Sequence, residues 1–136
     1  MAIKAGVNEE FRVGDAWFAS VSPKGDWAVV FEDDGETAYL YATRVKADGS
    51  LGGILDALHI YNVAQVTDKE KPSRLVLGWS RSGEAAVCLI NGYPHAIYDM
   101  GSKRATNRTG FPPIDKKSPF SRDVDGWDPT LENAFK

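Results

Sequence analysis

The sequence predicts a mainly β domain: two antiparallel three-stranded meanders packed as one unit, followed by a short C-terminal helix. Three observations carry this. A segment repeats in frame: Ser22-Pro23-Lys24-Gly25-Asp26 leads into Trp27-Ala28-Val29-Val30-Phe31, and Ser80-Arg81-Ser82-Gly83-Glu84 leads into Ala85-Ala86-Val87-Cys88-Leu89. Each apolar run is followed by a hairpin dipeptide, Asp34-Gly35 in the first and Asn91-Gly92 in the second. Such dipeptides suit a type I′ turn, where both central residues need positive φ. Aromatic and β-branched residues alternate with small or polar ones at period two, as in strands with one face more buried than the other.

In chain order, Phe11 to Val21 reads as a strand through Val13, Trp17, Phe18 and Val21, with Gly14-Asp15 as an irregularity within it. Trp27 to Phe31 and Tyr39 to Tyr41 form the first hairpin, and residues 47–53, rich in glycine, form a loop. Residues 54–66 read either as a helical stripe through Ile54, Leu55 and Leu58 or as a strand around Leu58 to Val63. The clustered β-branched residues and Asn62 favour the strand. An α+β domain with a helix there is the alternative. Arg74 to Trp79, Ala85 to Ile90 and His95 to Asp99 make the second meander, with Pro94 implying that its last strand starts at an edge or just beyond the proline. The internal duplication spans 11–43 and 74–99 of a single domain, 1–136. A propeller is excluded by length, since four blades of roughly 40 residues do not fit. Residues 101–122 carry Pro112, Pro113 and Pro119 without periodicity and read as one irregular segment. Asp128-Pro129 then marks a helix start, Asp at the N-cap and Pro at N1.

With 136 residues, 43% hydrophobic and 26% charged, the composition is that of a globular protein. A net charge of −3 sets up no field that would draw it to nucleic acid, and direct nucleic-acid binding is not expected. No apolar run reaches the roughly 20 residues needed to cross a bilayer, and the N-terminal residues lack a signal-peptide core, so the expected location is cytoplasmic with no membrane partner. Cys88, alone in a strand run, is expected to be a small buried hydrophobe.

Motifs for catalysis are weak. Gly78-Trp79-Ser80-Arg81-Ser82 lacks the second glycine of a nucleophile elbow and sits between strands. His59 and His95 have no companion at metal-ligand spacing, and both are expected to be structural. The Asp123-Val124-Asp125-Gly126-Trp127-Asp128 run departs from the calcium-loop order, with Gly126 fourth instead of sixth. No glycine pattern cradles a phosphate, so no cofactor and no metal are expected. Two charge features remain: four carboxylates at one hairpin tip (Glu32, Asp33, Asp34, Glu36), and the cations Lys103, Arg104, Arg108, Lys116, Lys117 and Arg122 in the irregular segment. These are either solvated turns kept soluble by their charge, or an acidic tip that steers toward a basic partner, with Tyr39, Tyr41, Tyr93 or Trp79 as interface anchors.

The segments Val29 to Tyr39, Ile54 to Val63 and Asn91 to Ala96, with Gly110-Phe111-Pro112-Pro113, together resemble a small bacterial domain family of unknown function. The likeness runs from Trp27 to Pro113. It implies a bacterial cytoplasmic protein and transfers no catalytic residue. Small β-rich bacterial proteins of this kind are often antidotes encoded beside toxins, an analogy of class. The sequence therefore predicts a non-enzymatic protein-binding domain, in its most concrete form an immunity protein occluding a toxin's basic cleft. Glu32, Asp33, Asp34, Glu36, Tyr39 and Tyr93 are the candidate contact residues. The alternatives are a small-molecule-binding accessory domain, or a small hydrolase or isomerase using His95 and Asp99.

Overall fold

The computed structural model describes residues 1–113 and 115–136. Among the described residues, nine strands form two antiparallel sheets. β1 (Lys4–Phe11), β6 (Ser73–Trp79), β7 (Ala85–Ile90), β8 (Tyr93–Asp99) and β9 (Arg104–Asn107) make a five-stranded sheet in the order β1-β6-β7-β8-β9. β2 (Ala16–Val21), β3 (Trp27–Asp33), β4 (Thr37–Val45) and β5 (Leu51–Asn62) make a four-stranded one in the order β2-β3-β4-β5. The mainly β expectation holds, and each meander gains flanking strands. β5 extends the first, and its strand conformation runs from Leu51 to Asn62 before one 3-10 turn at Val63–Gln65, so residues 54–66 hold no α-helix. β1 and β9 flank the second, which places one regular strand inside the segment read as irregular. The C-terminal helix is a 3-10 segment, Pro129–Phe135, capped by Asp128, whose Oδ1 accepts the Thr130 amide at 3.0 Å.

The two sheets close on one apolar layer. Val29, Phe31, Ala38, Leu40, Ala42 and Leu58 from one side meet Leu75, Leu77, Trp79, Ala86, Cys88 and Tyr98 from the other. Alternation decides which side chains enter, since every second residue of a strand points inward. Polar atoms carried in with the aromatics are paired, as burial without a partner would be costly. Trp79 Nε1 donates to Ser20 Oγ at 2.8 Å, Trp27 Nε1 to the Gly83 carbonyl at 3.3 Å, and Tyr98 Oη to the Leu40 carbonyl at 2.8 Å. All three bonds bridge the sheets. Trp79 is thus a core residue and not an exposed anchor, and Cys88 is fully buried.

The two repeated turns carry the same backbone bonds. Ser22 N donates to Trp27 O at 2.8 Å and Gly25 N to Ser22 O at 2.7 Å; Ser80 N donates to Ala85 O at 2.9 Å and Gly83 N to Ser80 O at 3.0 Å. The turns also touch each other, through Ser22 Oγ to the Gly83 carbonyl at 2.8 Å. The hairpin dipeptides differ. Asn91 and Gly92, at φ 52° and 80°, form the expected I′ turn. At Asp34-Gly35 only Gly35 has positive φ, 96°, and the connection is three residues long. There the aspartate side chains take the turn amides and replace the tight backbone turn. Pro94 is not on an edge strand, because β8 lies between β7 and β9. It sits at a bulge where register shifts between Cys88 and Leu89, before β9 begins to pair at Ala96, so its missing N–H leaves no gap in the ladder. No helix among the described residues is long and apolar enough to cross a membrane.

Candidate functional site

The outer faces of the two sheets differ. Over the five-stranded sheet, Leu131 and Phe135 of the 3-10 segment pack on Ala85, Val87 and Ile97, with Ile3 and Trp127 alongside. Over the four-stranded sheet the outward residues form three cross-strand rows: Trp17-Glu32-Tyr39-His59, Ala19-Val30-Tyr41-Ala57, and Val21-Ala28-Thr43-Ile54. This face stays open at Trp17, 57% exposed, and Ile54, 64%, while Thr109 and Phe111 cover its His59 end. Tyr39 and Tyr41 lie one above the other on β4, rings 5.9 Å apart and nearly parallel, because i and i+2 of a strand share a face. Tyr41 Oη donates to Glu32 Oε1 at 3.3 Å, and burial followed by that neighbouring carboxylate pushes the phenol above its usual range. A hollow of about 260 Å³ between Trp17, Tyr41, Leu51 and Ile54 has Glu32 and Thr43 in its wall. Thr43 Oγ1 is buried without a hydrogen-bond partner.

The acidic turn adjoins the first row. Asp34 Oδ1 accepts the amides of Glu36 (2.9 Å) and Thr37 (3.0 Å), which hold its carboxyl below the usual range, the Thr37 amide first. Asp34 and Glu36 are exposed, and Glu32 is half-buried. Asp33 is different. It is 3% exposed, and its carboxylate accepts the Gly14 amide (2.6 Å), the Gly35 amide (3.0 Å) and Tyr61 Oη (2.5 Å). Placing it among the exposed contact residues is therefore corrected: β alternation turns Asp33 inward while Glu32 faces out.

Tyr93 stands apart from the face. It is exposed at the start of β8, where the Arg108 guanidinium lies 4.4 Å from its ring and 3.7 Å from that of Trp127. Arg108 is thus clamped between two aromatic rings. The other cations of the late segment are dispersed too: Arg104 pairs with Asp123 at 3.3 Å and Asp128 at 3.7 Å, and Arg122 donates to the Gly110 carbonyl at 3.1 Å. His95 and Asp99 do not meet. Asp99 accepts the Ser102 amide at 3.1 Å in the turn after β8, and His95 lies at the opposite end of that strand. Burial, then the nearby Arg108 charge, lowers the proton affinity of His95. His59 is buried between Thr109 Oγ1 (3.0 Å) and Asn62 Oδ1 (2.8 Å), edge-on to Tyr39 and Phe111.

One titratable group lies under the open edge where the sheets converge. Asp56, on the inward side of β5, has its carboxyl pushed up by burial, against opposing pulls from Ser118, Arg122 and Tyr98. A raised folded pKa means the fold prefers the protonated acid. Its contribution to stability is present below the unfolded value, about 4, and is lost as pH rises through the folded one. Asp56→Asn is expected to melt at a higher temperature than the wild type at pH 7, with the gap shrinking toward pH 4. Thermal unfolding at both pH values checks this, and a lower melting temperature for the variant at pH 7 contradicts it.

Fold and surface together define an antiparallel two-sheet β sandwich that covers one sheet and leaves an aromatic, carboxylate-edged face on the other. The chain belongs to a bacterial family described as "Uncharacterized protein conserved in bacteria (DUF2251)", whose profile matches residues 11–136. It is similar to an uncharacterized protein of Haemophilus influenzae, 39% identical over 97 residues, which is 71% of this chain and 59% of that relative's length. No solved structure matches.

Proposed function

We propose that this protein is a non-enzymatic protein-binding domain acting in the bacterial cytoplasm, and that its docking surface is the outer face of the four-stranded sheet. The observation that carries the reading is the open aromatic face itself: Trp17, Tyr39, Tyr41 and Ile54 are held on rigid strands around Glu32. Tyr and Trp anchors at the centre of a patch are the usual source of interface energy, and rigid strands lose little entropy on binding. Glu32, Asp34 and Glu36 give one end of the face a negative field, which suits a partner with a basic surface and speeds its approach. In its most specific form, the partner is a bacterial toxin whose basic cleft the face and the acidic turn occlude. Tyr93 lies outside this surface, and Asp33 acts on it only by shaping the turn.

The test is protection against the toxin domain encoded nearest to the gene. Cells expressing that domain should survive when they also express the wild-type chain. Trp17→Ala combined with Tyr41→Ala should abolish survival, with direct affinity reduced by about 100-fold or more, as expected for two anchor residues. Circular dichroism of the double variant should match the wild type, because both side chains point away from the core. Undiminished affinity in the double variant would remove this face from the account. Absence of any protection would remove the toxin assignment.

A further inference from the structure

We propose that the cavity at one end of the sandwich, between residues 63–73 and the β7–β8 hairpin, binds a small monocarboxylate with an aromatic or branched aliphatic body. The cavity measures about 610 Å³, within the range of small-molecule sites. Its floor is apolar: Val13, Tyr61 and Ile90 line it and also pack against the core. Tyr61 offers its ring, since its hydroxyl is already committed to Asp33 at 2.5 Å. An apolar body is the chemistry such a floor accepts.

The head group follows from the polar side. His95 lines the cavity half-buried, and its ring nitrogens make no hydrogen bond with the described residues, so a donor is available there. Lys71 supplies a cation on the same lining, and Arg108 places a second positive charge near His95. Asp68 is the one carboxylate of the described lining; it and Lys71 are equally exposed to solvent, so the positive bias comes from Arg108, which lies outside the lining but is bonded to the His95 and Pro94 carbonyls. Positive charge near an unpaired imidazole donor favours an anion over an alcohol, and an alcohol over an ammonium group.

Amide spectra of isotope-labelled protein titrated separately with benzoate, benzyl alcohol and benzylamine test this, since the three share one ring and differ in head group. Benzoate should shift the amides of residues 61–73 and 90–95 saturably, binding about tenfold more tightly than benzyl alcohol, with no saturable response to benzylamine. His95→Gln should weaken benzoate by about fivefold or more, and Val66→Trp, which fills the cavity from a surface connection, should abolish its binding. The Trp17→Ala and Tyr41→Ala pair should leave the titration unchanged, which separates this site from the docking face. Equal binding of benzylamine, shifts centred elsewhere, benzoate binding retained by Val66→Trp, or no saturable binding of benzoate would each overturn the proposal.

Discussion

Replacing Asp33 with alanine will lower the free energy of unfolding by about 3 kcal/mol or more, among the largest losses available to any polar residue here. Three donors converge on this buried carboxylate: the Gly14 and Gly35 amides and the Tyr61 hydroxyl, at 2.6, 3.0 and 2.5 Å. Alanine leaves all three without their acceptor; the half-buried Gly14 amide and Tyr61 hydroxyl each cost about 1–3 kcal/mol when unsatisfied, partly recovered if water enters, while the Gly35 amide is exposed and can turn to water. The loss also reaches across the fold. Gly14 lies in the β1–β2 turn, Gly35 in the β3–β4 turn and Tyr61 at the end of β5, so one side chain ties three connections together. Lysine at 33 would bury an unpaired charge as well, and the variant should not fold. Lysine at 34 or 36 should be tolerated, because those side chains are exposed. Urea denaturation of the single variants checks the contrast, and equal midpoints for the alanine and lysine variants at 33 and 34 would show that Asp33 bears no special burden.

Trp79→Ala should cost about 4 kcal/mol, in the range for deleting a large aromatic from a packed core. Trp79 is 1% exposed, meets Trp27 edge-to-face at 5.0 Å, and donates to Ser20 Oγ at 2.8 Å. Truncation opens a cavity between the sheets, removes the aromatic pair and strands the serine hydroxyl. Trp79→Phe should lose less, since the ring volume is mostly kept while the bond to Ser20 is not. Near-ultraviolet dichroism and urea midpoints give the comparison. A loss under 1 kcal/mol for alanine would mean that the core collapses around the gap.

Strand existence was legible in the sequence wherever turn chemistry bounded an alternating run, as at Trp27 to Phe31 and Ala85 to Ile90. The strand reading of Leu58 to Val63 also held as far as Asn62, after which Val63 opens a 3-10 turn. β1 was not legible: Glu9 and Glu10 lie on a solvated edge strand, and its pairing with β6 joins residues such as Lys4 and Trp79, a contact no local pattern encodes. β9 hid in a proline-rich stretch because its four residues are too few to show a period. The acidic tip is visible as composition, and its parity is encoded as well. Period-two alternation places Glu32 outward and Asp33 inward, and that signal was present in the run from Trp27. Trp17 and Ile54 went unnoticed as surface anchors because a strand sequence does not say which sheet face a neighbour will cover. Residue type alone cannot separate Tyr93 from Tyr39, and the topology sends them to different sheets.

The most direct test of the proposed docking face is amide hydrogen exchange of the protein alone and in complex with the toxin domain proposed as its partner. Binding should slow exchange in β2 and β4 around Trp17 to Val21 and Tyr39 to Thr43, and in the Asp34 to Thr37 turn, while β6 to β9 remain unchanged. Protection confined to the five-stranded sheet or to residues 129–135, with Trp17 to Val21 unaffected, would contradict the account.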